Sequence, residues 1–348
     1  MNAYREIVIF YFSGTGNAKQ IASWFSEFAM GENISCKILD ISKIETDKIE
    51  RLNPDVLVAI ISPIHGFNYP KITLKFIEHF PKGKNNVVLM NTRGGMKIGR
   101  IVTPGLTGIA FLLSSFVLKR KGYNIVGQIP FDMPSNWISI HPALHDNAVE
   151  FLHKKNYERV EKHSNKIFSG ESDFLAYRDL VQDILISPIS LGYYLAGRFV
   201  FAKSFYASCD CDNCGLCIKQ CPVNAIKTVN NRPYWTFRCE SCMKCMNTCP
   251  KKAIDTAHGF FVVVGVLSSL LLTFMMDNIL KISIQSFLLR LIIFTLVFFA
   301  LLWIFYKIQH SLLRSKLIAK LISYTSLTHY KFWGRYKSIP DNKWKRRI

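Results

Sequence analysis

The chain has 348 residues, 49% of them hydrophobic, which is enough for two or three domains with real cores. Its formal net charge of +20 points to an anionic partner: nucleic acid, acidic protein or anionic lipid. The opening stretch, Met1–Glu6, lacks the charged and long apolar regions of a secretion signal. A disulfide scaffold built on its ten cysteines is therefore not expected, and a reducing compartment is.

Ile7–Phe12 is a continuous apolar run, as in a strand buried on both faces. It leads into Ser13-Gly14-Thr15-Gly16-Asn17-Ala18, and a helical pattern follows at Ile21, Trp24, Phe25 and Phe28. A strand, a small polar loop and a helix make a phosphate cradle, with backbone N–H groups and the positive helix end facing the anion. Gln20 after Lys19 breaks a Walker loop, and Lys19 stands where a dinucleotide fingerprint needs its third glycine. Further strands are predicted at Ile34–Leu39, Val56–Ile61, Val87–Asn91 and Tyr123–Gly127, with helices over Ile72–Phe80 and Gly108–Lys119 between them. This is the pattern of an α/β doubly wound sheet. Such sheets bind ligands beyond the carboxyl ends of their strands, at Ser13–Ala18, Ser62–Tyr69 and Asn91–Gly95 here.

On these motifs the first domain resembles a flavodoxin, with Ser13–Asn17 similar to its FMN phosphate loop. The resemblance implies FMN, with its phosphate at Ser13, Gly14, Thr15, Gly16, Asn17 and Ala18. It also implies that Pro63, Ile64, His65, Gly66 and Phe67 flank the isoalloxazine ring on one side, and Asn91, Thr92, Arg93, Gly94 and Gly95 on the other. Flavodoxins usually carry threonine where this chain has Ala18, a lost hydroxyl worth about 1 kcal/mol of FMN binding.

Ala143–Phe168 reads as a solvated, charge-rich helix, and Ser169–Asp173 as a boundary. The first domain is thus expected over 1–170 and a connecting helical segment over 171–208. Ile184–Tyr206 is strongly apolar, but Pro188, Gly192, Gly197 and Arg198 interrupt it, so no membrane span is expected there.

The next stretch carries the strongest signal. Cys211, Cys214, Cys217 and Cys221-Pro222 are followed by Cys239, Cys242, Cys245 and Cys249-Pro250. Both runs read C-x2-C-x2-C-x3-C-P, and an Ala-Ile pair follows each (Ala225-Ile226, Ala253-Ile254). This is the spacing of a bacterial two-cluster ferredoxin, in which three thiolates come from one tight turn and the fourth from the other run. It assigns Cys211, Cys214, Cys217 and Cys249 to one [4Fe–4S] cluster, and Cys239, Cys242, Cys245 and Cys221 to a second, in a domain over 209–257. Zinc sites use two C-x2-C pairs, not four cysteines in eleven residues twice over. Cys36 and Cys209 fall outside the pattern, and Pro233–Trp235 is expected to form a hairpin that shields one cluster. Joined to the first domain, this motif makes the chain similar to bacterial and archaeal flavodoxin–ferredoxin fusion proteins over 6–257. Met133–Trp137 resembles a segment those fusions carry after the fifth strand.

Gly259–Met276 carries no charged residue and Leu291–Tyr306 is a second apolar run, with Asp277, Asn278 and Lys281 between them. Ile284–Leu289 extends the second run across Arg290. The expectation is a transmembrane helical hairpin over 258–306. Lys251, Lys252, Lys307, Arg314, Lys316 and Lys320 flank it, which puts both termini and the soluble domains on the cytoplasmic side of the cytoplasmic membrane. Residues 307–348 form a basic tail, with an amphipathic helix expected over Lys307–Leu321 and a cluster at Lys343–Arg347 suited to anionic lipid. Because the tail follows two spans, nucleic acid is not expected as a partner.

The function read from all this is membrane-anchored electron transfer between two [4Fe–4S] clusters and FMN, to or from a redox protein or quinone. The alternatives are a flavin-dependent reductase fed by the clusters and a flavin-free iron–sulfur subunit of a larger complex. No nucleophile–base pair stands out, and no catalytic residue is expected.

Overall fold

The computed structural model describes residues 2–45, 49–99, 101–280 and 287–330. The described residues form two compact units, one of 2–137 and 143–195, the other of 138–142 and 196–330. The connecting segment expected over 171–208 is thus divided at 195/196.

In the first unit, β1 (Glu6–Tyr11), α1 (Asn17–Gly31), β2 (Ser35–Asp40), β3 (Leu57–Pro63), α2 (Lys71–His79) and β4 (Asn86–Ile98) come first. Then follow β5 (Ile101–Thr103), α3 (Ala110–Arg120), β6 (Asn124–Pro134), α4 (Asp146–Phe168) and α5 (Leu180–Gly192). The strand order is β2-β1-β3-β4-β6, all parallel, with the short β5 turned back antiparallel onto the end of β4. Leaving β5 aside, this is the 2-1-3-4-5 order of the flavodoxin-like sheet. The continuous apolar runs of β1 and β3 are buried on both faces, as parallel strands require. Ile7 and Ile9 pack with Ile21, Ala22 and Phe25 of α1 and Val160 and Ile167 of α4. Phe10 points the other way, onto Phe76 and Phe80 at 5.0 and 5.3 Å between ring centres.

One expectation is corrected here. Asn91–Gly95 is not a loop. The β4–β6 ladder runs unbroken from Asn91↔Pro130 to Gly95↔Pro134, so all five residues lie in a strand. The Gly-Gly pair marks close backbone approach rather than a turn: a Cβ on Gly95 would lie 2.7 Å from the Asp132 carbonyl oxygen.

Helix α4 carries two histidines that resist protonation. Burial pushes His153 down to about 4 from 6.5. Burial also lowers His163, against the pull of Asp173, whose carboxylate is 2.6 Å from Nδ1. Both bind protons less readily folded than unfolded, so the unfolded chain takes up more protons as pH falls below 6.5, and stability falls with it towards pH 4. Urea unfolding across this range is expected to show that loss, with a shallower slope in His153→Gln.

The second unit holds α6 (Arg198–Ala202), β7 (Phe205–Ala207), α7 (Leu216–Lys219), β8 (Ile226–Val229), β9 (Arg232–Trp235), α8 (Lys244–Thr248) and β10 (Ile254–Thr256). The helices α9 (His258–Phe274), α10 (Phe287–Leu312) and α11 (Lys316–Tyr324) follow. β7 pairs antiparallel with β10, and β8 with β9. The β8–β9 turn is Asn230-Asn231, both at positive φ (52° and 56°), the twist that two-residue hairpins need.

Two helical stretches among the described residues are long and apolar enough to cross a membrane, Leu175–Ala202 and Leu288–Leu312. The first contains the region where no span was expected: Pro188 is taken into α5, and a wide turn at Tyr193–Gly197 carries the helix into α6. α9 alone is shorter, at 17 residues, but continues helically through Met275–Leu280. It packs on α10, with Val264, Ser268 and Leu272 buried at four-residue spacing. Their outer faces stay exposed and aliphatic, as at Val262 and Leu296. Beyond α10 the single helix expected over Lys307–Leu321 is broken at Leu313–Ser315 before α11. Lys281, Ile284 and the Lys343–Arg347 cluster lie outside the described residues.

Candidate functional site

The cysteine-rich segment folds as two copies of one turn, 28 residues apart. Asn213, Gly215 and Asn224 have positive φ (57°, 72° and 49°), and so do their counterparts Ser241, Met243 and Lys252 (49°, 58° and 49°). Five of these six residues are not glycine, a strain that persists where a site demands it. Left-handed residues between the cysteines bend each turn around a common centre. The amide of Ala225 donates to Cys221 Sγ at 3.2 Å, and that of Ala253 to Cys249 Sγ at 3.3 Å.

The two halves exchange their last cysteine. Cys249 lines a cavity with Cys211, Cys214 and Cys217, under Pro233 of the β8–β9 hairpin. Burial pushes the Cys217 thiol up to about 11, and the charges of Cys211 and Cys249 add to the shift. In the other group burial raises Cys242 to about 12 and Cys239 further, with Cys221 contributing to both. Cys245 is raised by burial and then by Cys239 and Cys242. Thiols buried and gathered this closely ionise only where a cation compensates their charge.

Among the described residues no set of three or more His, Cys, Asp or Glu closes on a single metal ion. No disulfide forms among the ten cysteines. Two donors beside the thiols fit a [4Fe–4S] cluster. Ser241 Oγ is buried without a hydrogen-bond partner among the described residues, the Trp235 side chain hydrogen-bonds to Cys245, and N–H or O–H donors to sulfur stabilise a cluster.

Sequence reasoning missed Lys203. It is 1% exposed, and its ammonium donates to the Trp235 carbonyl at 2.6 Å. It also lies 4.4–4.6 Å from the ring centres of Tyr234, Phe237 and Tyr306. Burial lowers it to about 8, and Cys239 pulls the other way. Tyr306 of α10 accepts from the Trp235 amide at 3.2 Å, so an apolar helix reaches the cluster domain. The available signal was one lysine amid the apolar run before Cys209.

In the first unit, the loop after β1 keeps the shape of an anion cradle. Gly16 is left-handed (φ 107°) at the start of α1, no side chain caps that end, and the Gly16 amide donates to Ser13 Oγ at 3.0 Å. The sheet's far edge braces the loop: Asn17 donates to the Pro134 carbonyl at 2.7 Å, and Asn136 to Thr15 Oγ1 at 2.8 Å. Asn136 Oδ1 is a buried acceptor without a partner among the described residues. Ala18 is the second residue of α1, fully buried in the core, so its methyl packs rather than facing the cradle.

The ring-flanking residues fare unevenly. Pro63 ends β3, and Ile64 donates its amide to the Thr92 carbonyl at 2.9 Å. His65 and Asn68 bracket a tight turn with Gly66 and Phe67 both at positive φ (54° and 66°). The Tyr193 ring covers Gly66, where a Cβ would sit 2.0 Å from its Cγ, and Trp137 meets Tyr193 edge-on at 5.9 Å. Asn91 and Thr92 are buried in β4, and Gly94 stays at its exposed edge. Arg93 does not face the cradle. Its guanidinium is buried between Asp132 (2.7 Å) and Asp179 (2.5 Å).

Residues 210–254 match the family model of the 4Fe–4S dicluster domain. No curated protein matches the chain by sequence. Among solved structures, the chain is similar to rubredoxin oxygen:oxidoreductase from Desulfovibrio gigas at 13% identity and a TM-score of 0.31, over 47% of this chain and 37% of that one. It spans just over a third of that oxidoreductase. It is also similar to oxidised flavodoxin 1 from Bacillus cereus (14% identity, TM-score 0.31, 45% of this chain and 98% of that one). A flavodoxin from the domain Archaea matches at 13% identity and TM-score 0.28, over 46% and 99% of the two chains. Likenesses this distant add nothing to the fold, which strand order and register establish. The chain joins a flavodoxin-like parallel sheet to a [4Fe–4S] dicluster domain with apolar helices behind it.

Proposed function

We propose that this protein is a membrane-associated electron carrier. Cys211, Cys214, Cys217 and Cys249 hold one [4Fe–4S] cluster, Cys239, Cys242, Cys245 and Cys221 hold a second, and the Ser13–Ala18 loop holds the phosphate of an FMN. The observation that carries this reading is the paired turn, with six left-handed residues at matched positions, Cys249 lining the cavity of Cys211, Cys214 and Cys217, and Cys221 acting on Cys239 and Cys242. When bound, clusters exchange single electrons and flavin exchanges one or two, so their union interconverts the two modes. The chain's own part is to fix and dry the groups. Pro233 and Trp235 exclude water from the thiolates, the Ala225 and Ala253 amides donate to sulfur, and Asn17 and Asn136 brace the phosphate loop.

α9 and α10 supply a hairpin anchor. The basic residues flanking it favour a cytoplasmic position for both ends, and the exposed Leu317 and Leu321 of α11 beside Lys316 and Lys320 suit an anionic lipid surface. The redox partner is a protein or a quinone. Anaerobically purified protein is expected to contain about eight irons, about eight acid-labile sulfides and about one FMN. Equimolar zinc without iron would sink the cluster reading. Full iron without flavin would favour the iron–sulfur subunit, which the Tyr193 ring over Gly66 supports.

Lys203 sets the order of the clusters. A fixed positive charge beside the segment leading to Cys239 stabilises added negative charge there. In Lys203→Met the reduction equilibrium of that cluster is expected to fall about tenfold, 59 mV for a one-electron couple, with the other cluster little changed. A redox titration followed by paramagnetic resonance checks this.

A further inference from the structure

Helix α5 is amphipathic the wrong way round for water. Its buried polar residues, Asp183 and Ser190, face the protein and are hydrogen-bonded, while Gln182 is exposed. Just before it, Asp179 pairs with Arg93 at 2.5 Å. Within it, Asp183 accepts from the Gly108 amide at 2.7 Å, and Ser190 donates to the Phe67 carbonyl at 3.0 Å. At 3.6 residues per turn these three share one stripe, and Val181, Ile184, Leu185, Leu191 and Leu195 fall on the opposite one. That opposite stripe is open: Val181 and Leu185 are each 74% exposed.

Although the stretch is long and apolar enough to cross a membrane, the geometry forbids it. A helix bonded to strand β4 and two loops of the sheet unit from one end to the other runs along that unit and cannot leave it to span a bilayer. We infer that α5 lies in the plane of the membrane, with the Val181–Leu195 stripe sunk in the interface of an anionic bilayer, so that the flavodoxin-like unit has a lipid contact of its own. This rests on the membrane reading above. Lipid fits better than a protein partner because the stripe is aliphatic and lacks the Trp anchors of protein interfaces, and Arg178, which lines a cavity with Val181 and Leu185, suits an anionic headgroup. Tyr177 lies half-exposed at its start, the amphipathic side chain favoured at headgroup level, and a chain of net charge +20 complements anionic headgroups.

The test uses the full chain in nanodiscs of phosphatidylcholine and phosphatidylglycerol. A diazirine-bearing side chain replaces Leu185, Leu296 of α10 or Phe116, an exposed residue of α3, in separate preparations. After illumination, adducts are identified by mass spectrometry. Lipid adducts at 296 and at 185, several-fold above those at 116, are expected. Adducts at 296 with none at 185, equal yields at 185 and 116, or a protein crosslink at 185 would each overturn the in-plane helix while leaving the anchor standing. Absence of lipid at both 296 and 185 would overturn the membrane reading and this inference together.

Discussion

Cys249→Ser is expected to abolish the same cluster signal as Cys214→Ser, and Cys221→Ser the same signal as Cys242→Ser. Each variant should retain about four of about eight irons. The reason is the exchange of last cysteines. Cys249 lines the cavity of Cys211, Cys214 and Cys217, although it lies only four residues after Cys245. Cys221 acts on Cys239 and Cys242, although it lies four residues after Cys217. Paramagnetic resonance of reduced protein, with Cys214→Ser and Cys242→Ser as references, separates the two signals. If Cys249→Ser instead matched Cys242→Ser, each run would bind its own cluster. The paired turn would then be a repeat without exchange.

Arg93→Met is expected to destabilise the flavodoxin-like unit by about 3–5 kcal/mol, the usual cost of leaving a buried carboxylate without its partner. Arg93 sits between Asp132 and Asp179, and both carboxylates raise its pKa against the effect of burial. Asp132 would keep Arg159 at 3.2 Å and the Gly105 amide at 2.8 Å, which is why the loss is a few kcal/mol rather than outright unfolding. Asp179 would lose its hold on the strand and loosen the stretch leading into α5. Urea unfolding reads the loss, and Arg93→Met with Asp132→Asn should recover part of it by removing the orphaned charge. Were Arg93 a flavin contact, the variant would keep its unfolding midpoint and lose FMN alone.

Arg93 also illustrates what local sequence misses. In Asn91-Thr92-Arg93-Gly94-Gly95 the composition reads as a turn, and the resemblance to flavodoxins pointed the arginine at the ring. The strand continues because β6 runs on beside it to Pro134, and the arginine turns inward because Asp132 stands on that neighbouring strand. Neither partner is near in sequence. Ala18 behaves the same way: it was read as a loop residue short of a hydroxyl, but it is the second residue of α1 and its methyl is buried in the core. The apolar run of α5 is held to the sheet unit because Asp179, Asp183 and Ser190 find partners on strand β4 and in two separate loops.

The sequence by itself determined the alternation of strands and helices in the first unit, the cradle after β1, the eight cysteines with their internal repeat, and the apolar helices. Each is written in short-range periodicity or spacing, where one residue's neighbours are its own chain neighbours. Only the tertiary structure decided the length of β4, the inward turn of Arg93, the aromatic cage that holds Lys203 beside the cluster segment, and the outward face of α5. Those depend on which groups meet across long separations, and a buried charge takes its orientation from the opposite charge that the fold brings to it.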